Sequence, residues 1–302
     1  MSDAYHEWDG KSVTRSQLYL FRKSPRSFYN RYVLGIAPPR SKALTFGSAF
    51  HALTLEGREE FDRHFIKTFE RPPVPEGENE NGYWRRKANA ETLNKLKFEW
   101  AQKHGHKEQL SETDIAMIHA MDEAAHDPRN KLCAELLQDA QFESVAEGLD
   151  YETGIGLRCK IDIWTADGFP ADLKSHSGDL GDSWDRAIMD YGYHFQSAFY
   201  RRCTSTDRFP FLVVQKSKEP DAMVAELDDE ESALGEKVLR AALDRFAVCL
   251  DAHRKATEEE DPHLRALAMD EAWPGVGRQQ TTKRVTRFPK WFYDKELRYV
   301  SQ

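Results

Sequence analysis

Clustered cysteine is missing from this sequence. Its 302 residues hold four cysteines, Cys133, Cys159, Cys203 and Cys249, and no two form a Cys-x-x-Cys pair. A zinc ribbon or an iron–sulfur cluster needs several thiolates within local reach. Neither is expected, and the thiols read as free and buried. Long apolar runs are missing too. Hydrophobic residues make up 40% and charged residues 31% of the chain, and no stretch approaches the roughly 20 apolar residues that cross a bilayer. The first residues, Met1-Ser2-Asp3-Ala4-Tyr5-His6, lack the basic start and apolar run of a secretory signal. A cytoplasmic protein with no membrane partner is expected. An excess of positive charge is also lacking, with 43 Lys and Arg against 51 Asp and Glu and a net charge of −8. That disfavours a protein that merely coats nucleic acid. It leaves room for an enzyme that handles DNA in a local groove. No internal repeat occurs.

The charge present is uneven. Residues 111–153 are acidic, with Arg129 and Lys131 their only cations, whereas the N-terminal helical region and the tail after Gly277 are basic. The acidic stretch is expected to face away from any DNA.

Periodicity and punctuation give the element order. Thr14-Arg15-Ser16-Gln17 and Pro25 open two short helices across 14–34. After Pro38-Pro39, Ala43 to Leu55 reads as a largely apolar helix that contains His51. Residues 70–83, rich in Pro, Glu, Gly and Asn, predict a loop. Trp84-Arg85-Arg86-Lys87 follows, then helices through about Gln102, from Ser111 to Ala125 and from Pro128 to about Leu137. Strands are predicted over Phe142–Leu149, Leu157–Trp164 and Phe169–Ser175, the last two joined at Asp167-Gly168. Leu157, Cys159, Ile161 and Ile163 share one face. A helix over Ser183–Arg202, a strand over Phe209–Lys216 and a helix from Glu230 to about Glu260 complete the series. This order predicts an α/β (α+β) fold with a mixed central β-sheet flanked by helices and a helical N-terminal portion. A single domain over 1–302 is expected: a helical part to about 138, a core over about 139–260 and a tail over about 261–302.

The chemistry centres on Ala171-Asp172-Leu173-Lys174. Asp172 and Lys174 leave the same face of one strand, and the preceding strand can bring Asp162 beside them. Two carboxylates and an ammonium on one patch are costly to bury without a use. A hard divalent cation such as Mg²⁺ resolves the conflict, because it takes oxygen ligands and neutralises like charges. Alone, an Asp-x-Lys tripeptide is most often a charged surface strand, and a His in an apolar helix is most often a core residue. Gln196 and Tyr200 share a helix face at i, i+4. Glu143 lies on the strand before the hairpin.

Taken in order, His51, Asp162, Asp172-Leu173-Lys174 and Gln196-x-x-x-Tyr200 resemble the PD-(D/E)XK nuclease superfamily. The resemblance is to the branch containing the RecB nuclease domain, lambda exonuclease and RecE (exodeoxyribonuclease VIII). Gly156 to Lys174 resembles the Leu-x-Cys-(Lys/Arg)-x-Asp…Asp-Leu-Lys pattern of RecE. Ala43-Leu44-x-Phe46-Gly47-x-x-x-His51 and Tyr191-Gly192-Tyr193-His194-x-Gln196-x-Ala198-x-Tyr200 resemble that group's helices. Ser24-Pro25 and Pro289-x-Trp291 fit phage and prophage members. The resemblance spans most of residues 14–300.

It implies a restriction-endonuclease-like core and metal ligation by His51, Asp162, Asp172 and the Leu173 backbone carbonyl. Lys174 would orient or deprotonate the attacking water. Gln196 and Tyr200 would position the scissile phosphate or Lys174, and Glu143 would stand beside the ligands. The implied cofactor is Mg²⁺, for which Mn²⁺ can substitute. No iron–sulfur cluster is carried over. The implied activity is an exonuclease on linear double-stranded DNA, 5′ to 3′, in phage-type recombination. Partners would be duplex ends, a single-strand annealing protein and further copies of the chain in a ring-shaped homo-oligomer. Arg22, Arg26 and Arg31 could take a terminal 5′ phosphate, and Trp84-Arg85-Arg86-Lys87 could grip a strand. Two alternatives stay open: a structure-specific or single-strand endonuclease of the same superfamily, and an inactive DNA-binding or assembly module.

Overall fold

The computed structural model describes residues 7–36 and 41–275. Pro38-Pro39, the basic tail after Gly277 and Pro289-x-Trp291 lie outside the described residues. Along the chain run β1 (Ser12–Thr14), α1 (Arg15–Lys23), α2 (Pro25–Phe28), a π-helical turn (Tyr29–Val33), α3 (Lys42–His51), a second π-helical turn (Ala52–Glu56), α4 (Arg58–His64) and β2 (Phe65–Lys67). Then come α5 (Glu80–Arg85), α6 (Lys87–His104), β3 (Glu108–Leu110), α7 (Glu112–Ala125), α8 (Lys131–Leu137), β4 (Gln141–Asp150), β5 (Ile155–Trp164) and β6 (Pro170–His176). The remainder is α9 (Asp182–Tyr191), α10 (Tyr193–Thr204), β7 (Phe211–Gln215), β8 (Ala222–Ala225), α11 (Asp229–Glu258) and α12 (Pro262–Ala272).

The chain divides into two compact units, one of residues 1–16 and 37–244, the other of 17–36 and 245–302. The first unit holds a mixed sheet in the order β1-β5-β6-β7-β8, with β4 also paired to β5. β4 and β5 are antiparallel from Gln141↔Trp164 to Asp150↔Ile155. β5 and β6 pair only at Ile163↔Ala171 and Trp164↔Pro170. Beyond those pairs they part, and β6 runs parallel to β7 from Asp172↔Phe211 to His176↔Gln215. The order is therefore that of a mixed sheet flanked by helices, as the sequence predicts. β6 is antiparallel to β5 at their short contact and takes most of its pairing from the parallel β7.

Alternation explains β5. Leu157, Cys159, Ile161 and Ile163 are wholly buried while their neighbours are half-buried, the pattern of a strand with one core face. Part of the core gathers Phe46, Ala49, Phe50, Ile118, Met121, Cys133, Ile163, Leu173, Leu212 and Val214 around the sheet. α3 starts at Ser41, whose hydroxyl accepts from the Leu44 N–H at 3.3 Å, and its Phe46, Ala49 and Phe50 fall on one stripe. α10 sits against β4 at Gly148, where a Cβ would meet the Cys203 carbonyl oxygen at 2.4 Å.

The second unit is built on aromatic packing. Phe21 meets Phe246 edge-on at 5.0 Å between centroids, and Phe28 stacks on Trp273 at 5.2 Å. Trp273 donates its indole N–H to His253 Nδ1 at 3.1 Å.

Several elements differ from the sequence reading. The helix expected over 183–202 is two helices, because Gly192 takes a left-handed conformation (φ 68°, ψ 45°) that caps α9 and starts α10. The loop expected over 70–83 gives way at Glu80 to α5, where the Asn79 side chain accepts from Gly82. The helix placed from Pro128 begins at Lys131, capped by Asn130. β1, β2, β3, β8, α4 and α12 were not predicted.

Candidate active site

Five elements, α3, β4, β5, β6 and α10, converge on the β5–β6 seam. His51 is the last residue of α3 and precedes a π-helical turn. Asp162 lies near the end of β5, on the face opposite the buried Ile161 and Ile163. His51 Nδ1 is 3.5 Å from Asp162 Oδ2. The same oxygen accepts the Leu173 main-chain N–H at 3.0 Å, so a side chain closes the ladder that the parting strands leave open.

Glu143 completes the cluster. It falls between the pairs Phe142↔Ile163 and Ser144↔Ile161, across from Asp162. Its φ of 55° is left-handed, a strained state for a non-glycine residue at about 1–3 kcal/mol. Ligand atoms of His51, Glu143 and Asp162 all lie within 4.8 Å of one another.

Asp172 is 2% exposed. Gln196, on α10, donates its side-chain amide to Asp172 Oδ1. The Lys174 ammonium is in ion-pair contact with Oδ2. Burial pushes the Asp172 carboxyl above the ordinary carboxylate range; Lys174 opposes this and the Asp162 charge reinforces it. The Lys174 ammonium also sits 5.1 Å from the Tyr193 ring centroid. Tyr193 stacks on Trp184 at 5.3 Å. Its phenol is pushed up, first by burial and then by the Asp172 charge.

A nitrogen donor and two carboxylates within a few ångströms, with the buried Asp172 carboxylate on the next strand, make a site that suits a divalent cation. Among the sequence-selected residues, His51 and Asp162 meet each other, and Asp172, Lys174 and Gln196 form a second group one strand away. Glu143, expected beside the ligands, is itself in the donor cluster. Gln196 holds Asp172. Tyr200 donates its hydroxyl to the Lys160 carbonyl at 2.9 Å.

The candidate DNA contacts are scattered. In the second unit, Arg26 binds the Asp270 carboxylate and main-chain carbonyl. Arg22 lies over Tyr19 and Arg31 over Tyr32. In the first unit, Arg86 makes two hydrogen bonds to Glu78, at 2.9 and 2.8 Å. Arg85 and Lys87 are exposed, and Trp84 is half-buried edge-on to Tyr83.

A family model described as a PDDEXK-like domain of unknown function (DUF3799) matches residues 14–262. The chain belongs to this PDDEXK-like family. No curated protein matches it. Its fold is similar to the crystal structure of a "putative exonuclease" from Eubacterium rectale, at 14% identity and a TM-score of 0.51, covering 95% of this chain and 93% of the other. A crystal structure of LHK-Exo in complex with dAMP aligns over 58% of this chain and 88% of the other, at 16% identity and a TM-score of 0.27. The mixed sheet flanked by helices is the restriction-endonuclease-like arrangement of the PDDEXK-like fold, and the β5–β6 seam is where this member gathers its acidic groups. No helix among the described residues is long and apolar enough to cross a membrane.

Proposed function

We propose that this chain is a divalent-metal-dependent deoxyribonuclease. The observation that carries the reading is the pairing of two groups at one seam. His51, Glu143 and Asp162 offer ligand atoms within 4.8 Å of one another, and the Asp172–Lys174 pair lies on the next strand. His51, Glu143 and Asp162 would hold the metal, with Asp172 and the Leu173 carbonyl adding to the set. Mg²⁺, or Mn²⁺ in its place, would supply Lewis-acid polarisation of the phosphodiester and of a water.

This chain's own residues supply the rest. Lys174 lies beside Asp172; as an ammonium it would orient the attacking water, and as the neutral amine it would take the proton of that water. Gln196 fixes the Asp172 carboxylate, so that the carboxylate and the lysine keep one geometry. Tyr200 fixes the main chain of β5 two residues before Asp162. Arg22, Arg26 and Arg31 on one segment, and Trp84, Arg85, Arg86 and Lys87 on another, are the proposed strand contacts.

Within this reading, the resemblance to the RecE and lambda exonuclease branch supports an exonuclease acting 5′ to 3′ on linear duplex ends. It would work in the cytoplasm of a bacterium or phage-infected host, in phage-type recombination. A ring-forming homo-oligomer and a single-strand annealing partner belong to the same proposal. Digestion of duplexes labelled at the 5′ or 3′ end, with and without a 5′ phosphate and beside a covalently closed circle, tests it. Loss of 5′ label first, with the circle intact, is the expected result. A cut circle would replace the exonuclease with an endonuclease, and no cleavage of any substrate in Mg²⁺ or Mn²⁺ would leave a binding module.

A further inference from the structure

Lys160 carries chemistry that the proposed mechanism does not use. It lies on β5 two residues before Asp162, so both side chains leave the same face of the strand. Its cross-strand partner is Val145, which puts Glu143 at the diagonal position, within reach of a long side chain. The Lys160 ammonium forms an ion pair with Glu143 Oε2. The pair is semi-enclosed, with the lysine side chain 23% exposed and the glutamate 13%. The main chain at this point is fixed by the Tyr200 hydroxyl on the Lys160 carbonyl, so movement is left to the four-carbon side chain.

The arrangement has a parallel one strand away. Asp172 has Lys174 as its cation, and Glu143 has Lys160. Each carboxylate beside the His51–Asp162 contact thus has its own lysine. For Glu143 this creates a conflict. Its carboxylate is one of three groups whose ligand atoms cluster within 4.8 Å. An ammonium resting on that carboxylate occupies lone pairs that a cation would need, and it repels the cation as well. Glu143 is also held in a left-handed backbone state. That strain suits a residue kept for its position rather than for fold stability.

We propose that Lys160 is a displaceable counterion. It neutralises Glu143 when no metal is held, and it leaves for the solvent-facing side of the seam when Glu143 takes a divalent cation. There its ammonium is placed to receive a phosphate oxygen of the DNA strand, which makes it a positioning residue for substrate. This inference rests on the proposed metal site.

The test measures metal binding apart from cleavage. Mn²⁺ binding by calorimetry, without DNA, is compared for the wild-type chain, Lys160→Met, Glu143→Gln and the double variant. DNA affinity is then measured with Ca²⁺, which takes the same kind of oxygen ligands. Lys160→Met is expected to bind Mn²⁺ up to about fivefold more tightly, the scale of a lost competing ion pair. The gain should vanish in the Glu143→Gln background, as a double-mutant cycle requires. Duplex affinity in Ca²⁺ should fall severalfold. Unchanged or weaker Mn²⁺ binding by a folded Lys160→Met overturns the inference and makes the lysine a fixed strut. If that variant fails to fold, Lys160→Gln, which keeps a polar end group, takes its place with the same criteria. A wild-type chain whose Mn²⁺ binding is insensitive to both Glu143→Gln and Asp162→Asn would sink the metal-site reading itself, a different outcome.

Discussion

The Leu173 main-chain N–H donates to Asp162 Oδ2 at 3.0 Å across the seam where β5 and β6 stop pairing. One carboxylate therefore serves both the fold and the proposed metal, and substitutions should separate the two duties. Asp162→Asn keeps an oxygen that can accept from Leu173, so its unfolding free energy should stay within about 1 kcal/mol of wild type while Mn²⁺ affinity falls at least tenfold. Asp162→Ala removes the acceptor and should cost about 1–3 kcal/mol in urea unfolding as well as the metal.

Gln196 is the hydrogen-bond donor to Asp172 Oδ1. Gln196→Leu leaves a buried carboxylate short of a donor, which costs about 1–3 kcal/mol. Single-turnover cleavage should slow about 100-fold with little change in DNA affinity. A variant that cleaves normally would show that Asp172 needs no such anchor.

Tyr193 faces the Lys174 ammonium with its ring. Tyr193→Phe keeps the ring and should retain cleavage within about threefold. Tyr193→Leu loses a cation–π contact of about 0.5–2 kcal/mol and should cleave several-fold to about 30-fold more slowly. Equal rates for the two variants would remove the ring from the account.

Asp150 gives a pH prediction away from the site. Burial would raise its pKa, but hydrogen bonds from Arg240, Thr153 and Arg202 outweigh this and lower it to about 2. A depressed carboxylate pKa contributes stability that is present above the unfolded value, near 4, and lost as pH falls toward 2. The contribution is about 2 kcal/mol. Asp150→Asn should therefore lower stability at pH 7 by about that amount and flatten the acid limb between pH 4 and 2, as followed by urea unfolding.

Much of the site was legible because strands have a period of two. The alternation in Leu157–Ile163 fixed the face of Asp162, and the spacing of Asp172 and Lys174 fixed theirs. Glu143 was harder to place. Its role depends on a left-handed backbone and on standing across from Asp162. The signal was present all the same, since counting outward from the Asp150↔Ile155 end of the hairpin brings Glu143 opposite Asp162. Lys160 went unassigned because it matters only through that pairing. The break at Gly192 was hidden in a continuous helical pattern, and only its positive φ shows that the glycine ends one helix and begins another. β8 has four residues and follows Pro220, too short a run for alternation to separate from a loop.

The most direct test of a metal-dependent nuclease centred on the seam compares wild type and Lys174→Ala on linear duplex DNA in Mg²⁺ or Mn²⁺, with DNA binding measured in parallel in Ca²⁺. The account predicts cleavage by wild type that EDTA abolishes. It also predicts at least 100-fold slower cleavage by Lys174→Ala, with DNA affinity within about threefold. Lys174→Ala cleaving at the wild-type rate, or wild type leaving the duplex intact in either metal, would contradict it.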